Sequence, residues 1–263
     1  MTTVNDICRI LEDFAPLSYQ EAYDNAGLIL GSREAVLNGV LVSLDVSETV
    51  IDEAIRLGFQ MIVSHHPLIF KGIKSITGQS YVEDCLVKAI KNDIAIYAGH
   101  TNVDSVLEGV NGKMAEKLGL MNCRILAPAN PGCPEEYGLG MVGDLPVGET
   151  EVDFLQKVKT TFHCQRLRHS EPTGKIVRRV ALCGGAGSEF IQHAKAAGAD
   201  VFLTGEARFH EFFTQGQHIL MIDAGHYETE QFTKEVFLDL FSKKLPTFDV
   251  RISRAEKNPV HYL

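Results

Sequence analysis

The sequence predicts an α/β protein made of two similar α/β lobes from an internal duplication, with a site between them at the carboxyl ends of the strands. Three observations lead there. Short apolar, β-rich runs alternate with amphipathic helical stretches, the pattern of largely parallel sheets covered by helices. The chain also matches itself across three consecutive units. Finally, each half carries an Ala-Gly-His segment, followed by three residues and a carboxylate, directly after a strand-like run.

Strands are expected at "GVLVSLD" (39–45), "FQMIVS" (59–64) and "DIAIYAG" (93–99) in the first half. In the second half they are expected at "RRVALCG" (178–184), "ADVFLTG" (199–205) and "HILMIDAG" (218–225). Helical stripes lie between and after them. Val50, Ile51, Ala54 and Ile55 form one, Val82, Cys85, Leu86 and Ala89 another, and Phe232, Val236, Phe237 and Leu240 a third. "LGFQMIVSHHPLIF" (57–70) lies over "AGADVFLTGEARFH" (197–210) without a gap, and "AGHTNVD" (98–104) lies over "AGHYETE" (224–230). The unit preceding these aligns with a small offset. The lobes are placed at 1–125 and 126–263, without a large inserted domain. The linking region, about 121 to 175, reads as the loop "APANPGCPEEYG" and one helix, "ETEVDFLQKVKTTF".

Composition narrows the function classes. The chain of 263 residues is 45% apolar and 22% charged, which is ordinary for a globular protein with a real core. No apolar run approaches the roughly 20 residues needed to span a bilayer. The N-terminal stretch is polar and acidic, without a signal pattern, so a cytoplasmic location is expected. A net charge of −9 argues against a nucleic-acid partner, whose binding rests on clustered Lys and Arg. The basic stretch "KIVRRV" (175–180) is short and reads as a solvated edge. The six cysteines (Cys8, Cys85, Cys123, Cys133, Cys164 and Cys183) are scattered without a CxxC pair, as in a reduced cytosolic protein without disulfides.

The stretch "MIVSHHPLIF" (61–70) places His65 and His66 side by side after an apolar run. In a continuing strand neighbouring side chains face opposite ways, so two adjacent histidines would serve different surfaces. Pro67 cannot donate a ladder hydrogen bond, and the strand is expected to stop near Ser64. Both imidazoles then sit in the turn at its carboxyl end, where the alternation relaxes. Ligands of open α/β sheets lie beyond those ends. There the sequence gathers His65, His66, His100, Asp104, Glu206, His226 and Glu230. His226 and Glu230 are four apart at a helix start and can share one side of a turn; His100 and Asp104 repeat the spacing.

Imidazole and carboxylate donors without thiolates suit zinc, manganese, iron, cobalt or nickel. The donors exceed what one tetrahedral zinc requires. The surplus points to two divalent ions sharing a bridging carboxylate, an arrangement that activates water for hydrolysis. "CGGAGSEF" (183–190) reads either as a glycine-rich turn cradling phosphate or as a close strand–helix contact; it lacks the GxGxxG and GxxxxGK[ST] patterns. Asp24 and Asn25 of "YDNAGLILG" either line the site or cap a turn. His163, His169, His193, His218 and His261 read as structural or surface residues, and His210 as either that or a residue of the site's rim.

With these residues in view, the chain resembles the Nif-three-like dinuclear-metal proteins, homologues of a second type of GTP cyclohydrolase I. The resemblance rests on "YDNAGLILG", "SHHPLIF", "GHTNVD", "YGLGMVGDL", "CGGAGSEFIQHAKAAGADVFLTGE", "GHYETE" and "NPVHYL", and covers essentially the whole chain. It implies metal ligation by His65, His66, Asp104, His226 and Glu230, with His100 behind the ligands or facing substrate. It further implies a ring-shaped homohexamer with the metals facing its interior. The expected activity is a metal-dependent hydrolase acting on a small molecule. GTP is one candidate, opened at C8 of the guanine ring with release of formate. His100 or Glu206 would then shuttle the proton as catalytic residues, and Lys71, Lys74 and Arg208 would meet the phosphates. A phosphoesterase and a non-catalytic metal-binding scaffold are the alternatives.

Overall fold

Level strand ends are what this fold supplies to its functional residues, and they arise separately in two sheets. The computed structural model describes residues 1–132, 136–215 and 219–263, so Cys133 and His218 lie outside the described residues. The strands of the first half are β1 (Gly27–Leu30), β2 (Gly39–Ser43), β3 (Met61–Ser64) and β4 (Ala95–Ala98). Then come β5 (Met121–Pro128), β6 (Gly138–Thr150), β7 (Arg168–His169), β8 (Ile176–Cys183), β9 (Val201–Thr204), β10 (Leu220–Asp223) and β11 (Asp249–Ile252). The helices up to residue 118 are α1 (Val4–Phe14), α2 (Glu48–Leu57), α3 (Tyr81–Lys91), α4 (Thr101–Asp104) and α5 (Val110–Leu118). They are followed by α6 (Glu151–Thr161), α7 (Ile191–Ala196), α8 (Glu211–Gln215), α9 (His226–Glu230) and α10 (Thr233–Lys244).

The chain divides into two compact units, 1–103 with 233–261 and 104–232 with 262–263. These are not the expected 1–125 and 126–263. The physical reason lies at the C-terminus. β11 pairs in parallel with β2, and α10 buries Val236, Phe237 and Phe241, so the last segment completes the first sheet. α5, in turn, packs Met114, Ala115 and Leu118 into the core of the second unit.

In the first unit the sheet runs β1-β4-β3-β2-β11, parallel except for β1. Leu41, Ile62 and Ile96, one face of three neighbouring strands, pack against Val50, Ile51 and Ala54 of α2 and Cys85, Leu86 and Ala89 of α3. The expected stripes therefore form, except that Ile55 is exposed. Ser47 caps α2 and Ser80 caps α3 through their hydroxyls, which fixes where each helix starts. Ser43, Ser64 and Ala98 stand level in the register, so the segments after β2, β3 and β4 leave the sheet at one edge.

The second sheet runs β5-β6-β8-β9-β10-β7 and is mixed: β8, β9 and β10 are parallel and the other pairs antiparallel. Leu182, Leu203 and Ile222 face Phe154 and Val158 of α6, while Ala181 and Phe202 face Ile191 and Ala194 of α7. That is the period-two alternation of a sheet covered on both sides. Cys183, Thr204 and Asp223 again end level. Phe232, expected on the last helical stripe, precedes α10 and stacks on Phe162 instead, at 5.6 Å. The linking region holds more than a loop and a helix, since β5 and β6 pair there as an antiparallel hairpin. Among the described residues the cysteines are free thiols, and no helix is long and apolar enough to cross a membrane.

Glu53 fastens the C-terminal segment to the first unit. Its buried carboxylate accepts from the Ser253 hydroxyl at 2.7 Å and from the Arg254 and Ala255 amides at 2.9 and 3.0 Å. Burial pushes its pKa up, but these donors and Arg56 outweigh it and leave the group below its ordinary 4.5. A depressed folded pKa means that the stabilisation is complete above the unfolded value and is lost as pH falls through the folded one. Glu53→Gln is therefore expected to cost about 2–4 kcal/mol at neutral pH. The gap to the parent should shrink below pH 4.5 in denaturant titrations. An equal gap at pH 7 and pH 3.5 would contradict the assignment.

Candidate functional site

In the first unit the residues that follow the level strand ends are Leu44 and Asp45, His65 and His66, and Gly99 and His100. The turn after β3 is held by its own backbone. The His65 and His66 amides donate to the Leu44 carbonyl at 3.1 and 3.0 Å, and the Ser64 hydroxyl donates to the His66 carbonyl at 2.8 Å. His65, fully buried, donates from Nδ1 to the Gly99 carbonyl at 2.8 Å. His66 turns Nδ1 to the Asp45 carboxylate and His100 turns Nδ1 to Asp24, both at 2.8 Å. In each ring Nδ1 meets an oxygen acceptor, which puts the proton on Nδ1 and presents Nε2 as the ligand-type nitrogen. The rings lie 4.9–5.5 Å apart, and one ligand atom from each falls within 4.8 Å of the others.

Asp24 settles the question raised by "YDNAGLILG". Its second oxygen accepts from the Thr101 amide at 3.0 Å and from the Thr101 hydroxyl. Burial works against the charged form, yet the His100 hydrogen bond and charge, with Thr101 and Asn25, hold the carboxyl down at about 2. Asp24 thus orients His100 at the start of α4. Asn25 donates from its side chain to the Ile69 carbonyl at 2.6 Å and braces the loop after the histidine pair.

The second unit builds its part on β8, β9 and β10. His226 opens α9 and Glu230 closes it. His226 faces Glu206 with Nδ1 at 3.3 Å and Glu230 with Nε2 at 3.0 Å. A neutral imidazole has one proton for two carboxylates. With that proton on Nδ1, the Nε2 lone pair and a buried carboxylate oxygen are two electron-rich atoms at 3.0 Å. That arrangement is favourable with a cation between them, so the donor set fits a divalent metal.

The supporting residues here were not foreseen. Asp223, 4% exposed, accepts from the Gly225 amide at 3.0 Å, the Ala207 amide at 2.9 Å and the Arg168 guanidinium. It thereby locks together the segments that carry Glu206 and His226. Asn111 donates to the Asp104 carbonyl at 3.1 Å and accepts from the Gly184 amide at 3.0 Å, tying Asp104 to the glycine turn.

That turn is tied into its surroundings. The Gly184, Gly185 and Gly187 amides donate to Asn111, Thr229 and Thr204 respectively. Its glycines also stand in close contact, Gly185 against Glu230 and Gly187 against Cys183. Below it, burial and the charges of Asp104 and Glu230 push the Cys183 thiol well up.

Of the expected phosphate contacts, Lys71 and Lys74 line a hollow of about 410 Å³ beyond β3, and Arg208 is exposed after β9. His210 lies in an exposed aromatic group, 5.4 Å from Phe209. His169 pairs with Ile222 of β10 from the edge strand β7, and His163 turns at the end of α6.

The Duf34/NIF3 (NGG1p interacting factor 3) family model matches residues 2–259. The chain belongs to the Duf34/NIF3 family. A protein of Clostridium acetobutylicum named GTP cyclohydrolase 1 type 2 homolog is 38% identical over 228 residues, which are 86% of this chain and 85% of the relative. One of the same name from Streptococcus pneumoniae is 31% identical and covers 98% of this chain and 99% of its own. The crystal structure of Staphylococcus aureus protein SA1388 superposes with a TM-score of 0.90 at 28% identity, covering 100% of this chain and 99% of the other. This Duf34/NIF3 chain therefore shares its mixed α/β, two-sheet fold with solved proteins along its whole length.

Proposed function

We propose that this Duf34/NIF3 protein is a cytoplasmic metal-dependent hydrolase. In this reading His65, His66, Asp104, His226 and Glu230 together hold two divalent ions. The observation that carries it is the commitment of Nδ1 in His65 and His66 to oxygen acceptors, which leaves each Nε2 as a metal-type donor, together with the pairing of His226 Nε2 and the buried Glu230 carboxylate at 3.0 Å. When bound, such ions lower the pKa of water toward neutrality and neutralise developing negative charge. The chain's own residues do the rest. Asp45 and the Gly99 carbonyl fix the tautomers of His66 and His65. His100, oriented by Asp24, is placed to carry a proton on Nε2, and Glu206, exposed beside His226, is the alternative carrier. The relatives' name makes GTP the first substrate to test, with attack at C8 and loss of formate. The resemblance also supports a homohexamer.

The experiment is formate release from GTP by the metal-loaded protein, with and without chelator. Release that depends on metal supports the reading. Cleavage of a phosphate ester in its place would move the assignment to a phosphoesterase, and inactivity on both with metal bound would favour the scaffold. Light scattering checks the assembly, for which a mass near the 29.0 kDa of one chain would refute the hexamer. Asp24→Asn is expected to lower kcat about 10–100-fold, the usual cost of losing an orienting partner. Its metal content should be unchanged; a parallel loss of metal would make His100 a ligand.

A further inference from the structure

Two aromatic rings stand in the open beside His100. Tyr23 is 64% exposed and Phe70 45%, although Phe70 ends a turn in which His65, Pro67 and Leu68 are buried. The rings lie 6.3 Å apart and are tilted 45° to each other, so a flat ring stacks on one and leans against the other, and Phe70 and His100 are T-shaped at 6.0 Å. Their backbones are held on the adjoining residues. Asp24, next to Tyr23, is bound to Thr101 and His100, while Ile69, next to Phe70, accepts from Asn25. Rings presented from a fixed backbone lose little freedom when they bind a ligand. Lys71 follows Phe70 directly and shares a hollow with Lys74. The acidic residue of that hollow, Glu83, is occupied by the Thr77 and Gln79 amides at 2.6 and 3.2 Å. An aromatic face with cations behind it fits a planar ring that carries an anionic tail.

We infer that Tyr23 and Phe70 form a stacking platform for the purine ring of a nucleotide, with Lys71 and Lys74 meeting its phosphates; this rests on the hydrolase reading above. A ring held on Phe70 stands next to a side chain that is 6.0 Å from His100. Stacking there selects a heterocycle over an aliphatic phosphate ester.

The test is binding to the metal-loaded protein by calorimetry, with 7-deazaguanosine triphosphate and inorganic tripolyphosphate as probes. The deaza ring keeps the planar face but lacks the N7 that makes C8 open to hydrolysis, so turnover does not interfere. Phe70→Ala and Tyr23→Ala should each weaken the nucleotide about 5- to 150-fold, the range for loss of one base–aromatic stack. Tripolyphosphate binding should be unchanged, and Phe70→Trp should restore the nucleotide. Metal content, measured on every variant, separates the two ideas. Absence of metal from the parent protein would sink the hydrolase reading. Full metal with equal loss of both probes, or with no loss, overturns the platform. Dissociation of an oligomer by Phe70→Ala would also overturn it, by giving the rings to a second copy.

Discussion

Glu230→Ala is expected to reduce bound metal from about two ions per chain to one or fewer, and to cut metal-dependent turnover more than about 100-fold. Loss of a mere orienting partner already costs 10–100-fold, and Glu230 is assigned a ligand's place. Its carboxylate is 6% exposed and 3.0 Å from His226 Nε2. Glu206, which faces the other nitrogen of that ring at 3.3 Å, is 64% exposed. A screened surface carboxylate is a weak substitute for a buried one. His65→Ala should act similarly, since it removes a fully buried imidazole whose Nδ1 is held by the Gly99 carbonyl and whose Nε2 is assigned to metal. Elemental analysis after extensive dialysis reads the stoichiometry, and formate release reads turnover. Undiminished metal in Glu230→Ala would remove that residue from the ligand set.

The histidine pair was legible because Pro67 marks a strand end, and a strand end is where α/β sheets place ligands. His226 and Glu230 were legible because a short helix repeats every four residues. Asp45 carried a signal that goes unused when strands are read one at a time. It follows β2 at the register that His66 follows β3, which becomes visible only once Ser43 is known to pair with Ser64. Asp24 stood out only as a polar residue in an apolar stretch, with its partner unread, and Asn111 and Asp223 carried no signal. Each acts through contacts far along the chain, such as Asp24 with His100, and single polar residues carry no period. β6 escaped notice because Gly138, Gly140, Gly143, Pro146 and Gly148 dilute its β-propensity. β11 escaped because its partner, β2, lies about two hundred residues earlier.

Gly185→Ala is expected to damage the site more than its size suggests. Gly185 has φ +58°, and a Cβ there would lie 2.1 Å from Glu230 Oε1 and 3.3 Å from His226 Nε2. Two costs combine: about 1–2 kcal/mol for a left-handed backbone in a residue with a Cβ, and about 1–3 kcal/mol for overpacking. The second cost carries function, because the side chain that must yield is the buried Glu230 carboxylate. Gly198 separates the costs. It has φ +69° with open space where a Cβ would go, so Gly198→Ala should show the backbone cost alone. Gly198→Ala is therefore expected to lose about 1–2 kcal/mol in denaturant titration and retain its full metal. Gly185→Ala should lose about 2–5 kcal/mol and bind metal at least about tenfold more weakly, as a displaced ligand requires. The metal reading is the decisive one. If the two variants bind metal equally well, Glu230 swings aside without consequence, and the turn's closeness to it serves packing only.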